Sequence, residues 1–269
     1  MTDLAAADPT LVYIGGYGHS GSTLLEYLLT GCADLVACGE VHAANGAPST
    51  RKCTCGSTVA QCPVWNFVAD PSLDVARWSH AALEARLLDQ VLGSHAGIVD
   101  SSKTAWGHAF APFRQRNVSA LHLVHIVRDP RAVCWSLLMK DRRTETRSND
   151  AVVAVRTVLG WLYANLACEL FARRYPTQYL RIRYEDLAAD PVAMMPSVLQ
   201  ATLPSAQWNA NNVGKLENRH QLYGNRMRRR SLQVDTIEVD DKWKTDLPRR
   251  IRRSIEVISW FLRARYGYS

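Results

Sequence analysis

Short apolar runs and amphipathic stretches alternate along this chain. Leu11-Val12-Tyr13-Ile14 is an apolar run closed by Gly15-Gly16, the pattern of a short buried strand. The period then changes: Leu24, Leu25 and Leu28, within the stretch 24–29, share one helical face. Further strands are predicted at Gly97–Asp100, Leu121–Val127 and Tyr179–Tyr184, and an amphipathic helix around Ala81–Leu92. Asn149–Arg174 is helical by period, with Val152, Val155, Leu159, Leu162, Leu166 and Leu170 along one side, and Ile251–Ala264 forms another helix. Strands alternating with helices predict an α/β protein built on a central parallel sheet flanked by helices. Asn45–Pro63 and Ser205–Lys244 follow neither period. They are expected to be loops over the sheet, and long loops in compact domains are often functional.

With 269 residues, 47% hydrophobic and 21% charged, the composition is globular and excludes a disordered, collagen-like or coiled-coil chain. A single domain over residues 1–269 is expected, with loop insertions at about 45–67 and 205–244. The net charge of +7 is unevenly placed. Residues 215–269 hold 14 Lys+Arg against 7 Asp+Glu, and the remainder carries 18 of each. An anionic partner and a plain solvated basic face both account for this. Met1–Thr10 contains Asp3 and Asp8 and no basic segment before an apolar one, so no secretory signal is expected. No run reaches the roughly 18 apolar residues of a membrane span. Seven cysteines without a secretory signal suggest reduced thiols and a cytoplasmic protein.

The chemistry begins after the first strand. Gly16-x-x-x-x-Gly21-Ser22-Thr23 has the spacing of a phosphate-binding P-loop, but Ser22 stands where a nucleoside-triphosphate enzyme needs lysine. That counts against a kinase or ATPase. The main-chain amides of Ser20 to Thr23 can still cradle a phosphate at the helix N-terminus. A second motif, Arg128-Asp129-Pro130 with Ser136 eight residues after the arginine, follows a strand end, where ligands bind in open α/β sheets. With Pro130 in the first helical turn, a guanidinium and a hydroxyl can converge on one phosphate.

Taken together, these segments resemble the sulfotransferases that use 3′-phosphoadenosine 5′-phosphosulfate (PAPS). Gly18-His19-Ser20-Gly21-Ser22-Thr23-Leu24 is similar to their 5′-phosphosulfate loop, and Arg128 with Ser136 to their 3′-phosphate site. Tyr184-Glu185-Asp186-Leu187 resembles a further common segment. Gly224-Asn225-Arg226, followed by Asp241-Lys242-Trp243, resembles the C-terminal nucleotide segment of bacterial members. The resemblance runs from residue 11 to about 245. It implies a P-loop-like three-layer fold and a donor site made of Gly18, His19, Ser20, Gly21, Ser22, Thr23, Arg128, Ser136, Tyr184, Gly224, Asn225 and Arg226. PAPS would be the cofactor and PAP the product. Many members have lysine or arginine where this chain has His19, whose protonation governs what it can contribute.

Sulfuryl transfer needs a base for the acceptor and stabilisation of the leaving phosphate. Glu40, in Cys38-Gly39-Glu40-Val41-His42, resembles the Glu-Val-His of glycosaminoglycan sulfotransferases, whose glutamate is the base. His42 would assist it. Lys103 resembles a family lysine near the transferring sulfonate. His108 and His125 are rival bases, although His125 alternates within a buried strand and reads as a core residue. Glu40 is preferred as the base over the reading of an ordinary surface carboxylate, whereas Lys103 reads equally as an ordinary exposed lysine.

Cys53, Cys55 and Cys62 could bind zinc with Cys38 or His42, but the spacing is not that of C-x-x-C pairs and no metal is assigned. Arg226, Arg228, Arg229 and Arg230 form a basic run without aromatic interleaving, so nucleic acid is not expected as a partner. A small-molecule, glycan or natural-product acceptor is expected, most simply a hydroxyl. The alternatives are a P-loop kinase or other nucleotide-dependent transferase, and a non-catalytic nucleotide- or polyanion-binding protein.

Overall fold

The computed structural model describes residues 9–103, 121–144, 149–229 and 234–269. Its centre is a five-stranded parallel sheet: β1 (Thr10–Gly15), β2 (Leu35–Gly39), β3 (Gly97–Asp100), β4 (Leu121–Val127) and β5 (Tyr179–Arg183), in the order β2-β3-β1-β4-β5. The helices are α1 (Ser22–Leu29), α2 (His80–Val91), α3 (Pro130–Arg143), α4 (Asp150–Arg174), α5 (Tyr184–Ala189), α6 (Pro191–Thr202), α7 (Trp243–Asp246) and α8 (Arg249–Arg265).

Both sheet faces are covered, which is why β1 to β4 are mostly apolar, whereas the edge strand β5 carries Arg181 and Arg183. Along β1, Val12 and Ile14 pack with Leu25 and Leu28 of α1 and Val198 of α6. Leu11 and Tyr13 point the other way, into a core with Leu83 and Leu87 of α2, Phe171 of α4, and Trp65 and Phe67 of the first insertion. The 45–67 segment is therefore part of the core, held by short 3-10 turns and by backbone bonds from Cys53 to Ser57 and Val59 to Arg51. The 205–244 stretch is likewise free of long regular elements among its described residues, and lies along the β2 edge through a parallel bridge between Ala37 and Arg219.

Helix α4 sits where its period predicts, but its large apolar stripe is turned outward. Leu159 is 54% exposed, and Val152, Val155, Leu166 and Leu170 are exposed as well. The inward side carries Ala154, Gly160, Ala164 and Ala167 with Trp161 and Phe171. Small residues let the helix approach closely: a Cβ on Gly160 would lie 2.5 Å from the ring of Tyr17. Among the described residues α4 alone is long and apolar enough to cross a membrane, and half of its most apolar window is buried inside the protein.

Candidate active site

The C-terminal ends of the five strands converge on one cavity of about 470 Å³. After β1, the chain turns through His19 and Gly21, both at positive φ (68° and 96°), into α1. Gly21 is required here: a Cβ would fall 2.4 Å from the ring of Tyr184. As the N-cap it offers no side chain, so the first amides of α1 keep no capping partner and face the cavity mouth with the positive end of the helix dipole. The hydroxyl oxygen of Ser20 is buried without a hydrogen-bond partner.

After β4 comes Arg128, and Asp129 caps α3 by accepting the Arg131 amide at 2.8 Å, with Pro130 opening the helix. Arg128 is only 6% exposed. Its guanidinium lies over the Tyr184 ring at 4.2 Å, donates to the His19 carbonyl at 3.1 Å and stands 3.6 Å from the Asp240 carboxylate. Ser136, nearly two turns into α3, meets His19 Nδ1 at 2.8 Å. His19 thus joins the loop to the Arg128–Ser136 pair. Burial first, and then the charges of Lys140, Lys103, Arg128 and Arg143, push its pKa down to about 4. The imidazole is neutral at neutral pH, with one N–H and one lone pair in place of a cation's two N–H groups.

Glu40 follows β2 and Lys103 follows β3, so adjacent strands deliver a carboxylate and an ammonium 2.5 Å apart. Their loops are held from below. Glu26 of α1 accepts the Gly39 amide at 2.6 Å and the Ser101 hydroxyl at 2.7 Å. Asp100 accepts the amides of Ser102 and Val41 and takes a 2.6 Å bond from His80. Lys103 is kept at φ 68°, and its carbonyl accepts from the Tyr13 hydroxyl. On the far side, the Tyr223 carbonyl accepts the Glu40 amide, which brings Gly224 and Asn225 to the cavity wall.

The cavity wall includes Gly18, His19, Gly21, Ser22, Thr23, Glu40, Lys103, Arg128, Ser136, Tyr184, Gly224 and Asn225. Ser20 is buried within the turn and does not line the cavity. His42 does not line the cavity; its amide donates to Ser102 and its ring lies against His80. The backbone of Arg226 starts a 3-10 turn, and its side chain lies outside the described residues, as does all of His108. His125 is fully buried between Tyr179 and Asn165, with its pKa lowered to about 4 by burial, and stands in the core. Two residues escaped the sequence reading. Lys140 lines the cavity one turn after Ser136, a position the i, i+4 spacing gives away. Glu26 lies among the leucines of α1 and carries no local signal.

All seven cysteines are free thiols. Cys53, Cys55 and Cys62 do come together, but the fourth group beside them is His220 rather than Cys38 or His42. Cys38 is buried in β2 and its thiol turns to the Val36 carbonyl.

A family model described as "Sulfotransferase family" matches residues 9–203. No curated protein matches in sequence. Among solved structures, the fold is similar to a sulfotransferase domain from the curacin biosynthetic pathway (TM-score 0.63, 18% identity, 98% of this chain and 99% of that one). It is similar to a sulfotransferase domain from the Synechococcus PCC 7002 olefin synthase (0.64, 17%, 98% and 97%). It also resembles a retinol dehydratase in complex with retinol and PAP (0.51, 13%, 94% and 81%). At these identities the structural likeness establishes the fold.

Proposed function

Since the chain belongs to the sulfotransferase family, we propose that it moves a sulfuryl group from PAPS to the hydroxyl of a small-molecule or glycan acceptor. The observation that carries this reading is the convergence, in one cavity, of the amide-lined turn, the Arg128–Ser136 pair and the Glu40–Lys103 pair. The uncapped start of α1 and the buried Arg128, both at the cavity wall, fit an anionic nucleotide with a phosphate at each end. PAPS would supply the activated sulfuryl group.

The chain's own residues divide the remaining work. The amides of Ser20 to Thr23 and the α1 dipole hold the 5′ end. Arg128 and Ser136 hold the 3′-phosphate, with Arg128 exchanging the Asp240 carboxylate for it. Gly224, Asn225 and Arg226 close the nucleotide side, and Tyr184 backs the guanidinium. Glu40 takes the acceptor's proton. Lys103, paired with Glu40 at rest, neutralises charge where the sulfonate passes, and His19 donates its N–H toward the bridging oxygen. Ser22 in place of a P-loop lysine disfavours nucleoside triphosphates. Single-turnover mixing of the enzyme with sulfur-labelled PAPS and a panel of hydroxyl acceptors tests the reading. Label transfer to an acceptor is expected; binding of ATP in preference to PAP, with no transfer, would contradict it.

A further inference from the structure

Three thiols and an imidazole converge away from the transfer cavity. Cys53 and Cys55 sit in a tight hairpin whose Lys52–Thr58 bridge closes around Gly56 at φ 95°. Cys62 follows on the next turn, and His220 arrives from a segment 158 residues further along. The four donor atoms all lie within 4.8 Å of one another. Cys62 Sγ is 3.8 Å from Cys53 Sγ, 3.9 Å from Cys55 Sγ and 3.2 Å from His220 Nδ1. Thiolates held about 2.3 Å from a tetrahedral zinc ion stand roughly 3.8 Å apart.

One further feature matches a metal centre better than a cluster of thiols. The His220 Nε2–H donates to the Glu217 carbonyl at 3.0 Å, which fixes the tautomer and leaves the Nδ1 lone pair facing the sulfurs. Cys53, Cys62 and His220 are buried and Cys55 is half-buried.

We propose that Cys53, Cys55, Cys62 and His220 form a closed, four-coordinate structural zinc site. Thiolate-rich, tetrahedral coordination favours zinc over hard cations, and four protein ligands leave no open position for catalysis. On binding, the three thiols release their protons to solvent and the His220 lone pair completes the set. The ion joins the first insertion to the 218–225 segment. That junction already contains the bonds from Thr54 to Gln221 and Arg219 and from Trp65 to the His220 carbonyl. Three residues beyond His220, Tyr223 accepts the Glu40 amide, so the ion anchors the strip of chain that walls the cavity.

The test is elemental analysis of the untagged full chain purified from zinc-supplemented medium, with a cobalt-substituted sample for spectroscopy. About one zinc per chain is expected, together with thiolate-to-cobalt charge-transfer and tetrahedral d–d bands. Cys62→Ser and His220→Ala should lose the metal, while Cys38→Ser retains it. Less than about a tenth of an equivalent of zinc with featureless cobalt spectra would overturn the proposal. So would a Cys53–Cys62 disulfide in the intact mass, or full zinc retention by both ligand variants. These outcomes are independent of PAPS binding.

Discussion

Lys103 Nζ donates to Glu40 Oε1 at 2.5 Å across the ends of two adjacent strands. A surface carboxylate and a surface lysine would have no reason to be delivered together by neighbouring strand ends. As a pair they hold a proton acceptor and a cation at one wall of the cavity, with the amide-lined turn at another. Glu40→Gln keeps the shape and removes the base. Turnover should fall by about 10²–10⁴-fold, the usual worth of a positioned base. PAP affinity by calorimetry should stay within about twofold. Unchanged turnover would take Glu40 out of the mechanism.

Arg128 is buried and its nearest anion is the Asp240 carboxylate, which is 46% exposed. If the guanidinium holds a desolvated phosphate, Arg128→Ala should weaken PAP by about 2–5 kcal/mol in titration calorimetry. Asp240→Asn removes the competitor and should leave PAP affinity equal or higher. A loss of affinity in Asp240→Asn would mean that Asp240 contributes to the nucleotide site rather than competing with it.

His19 is neutral in the free protein because burial and four surrounding cations oppose its charge. Its ring resonances in NMR should therefore not titrate between about pH 5.5 and 8. Bound PAP brings negative charge to the same place and should move the transition upward. A free-protein transition near 6.5 would mean that the imidazole is solvated and acts as a cation instead.

Glu26 has the opposite electrostatic position. Burial raises its pKa from 4.5 to about 7, against the lowering effect of its bonds to Ser101 and the Gly39 amide. The folded chain then binds more protons than the unfolded chain between these two values. On this group's account, stability is highest below pH 4.5 and declines as pH rises toward 7. Glu26→Gln keeps the Gly39 bond, lets its amide NH2 donate to the Ser101 hydroxyl in the reverse sense, and should flatten that decline in urea unfolding series taken at pH 5, 6, 7 and 8. An identical pH slope in the two proteins would show that Glu26 does not titrate in that window.

Much of this was legible because β1, β3 and β4 are short, mostly apolar runs and the candidate residues lie one to six positions beyond a strand end; the pattern assigns β2 no range, and β5 carries Arg181 and Arg183 among its apolar residues. Gly21, Glu40, Lys103 and Arg128 could be placed by their position after a strand end, and Ser136 by its spacing along α3. What was not legible depends on tertiary partners. Helix α6 was missed because Pro191 and Pro196 interrupt its pattern, although Pro191 merely opens the helix after the Asp190 cap. The large residues of α4 marked its period correctly but not its inward side, because small residues facing Tyr17 allow the close approach. Glu26 looks like a polar interruption in a leucine helix until Gly39 and Ser101 are seen above it. Nothing local pairs His220 with three cysteines on a distant loop.

The measurement that bears most directly on the central claim is a crystal structure with PAP bound. The 5′-phosphate should rest on the amides of Ser20 to Thr23 and the 3′-phosphate on Arg128 and Ser136, with Asp240 displaced from the guanidinium. A nucleotide found elsewhere, or one whose ribose phosphate avoids Arg128, would contradict the assignment of this cavity as the donor site.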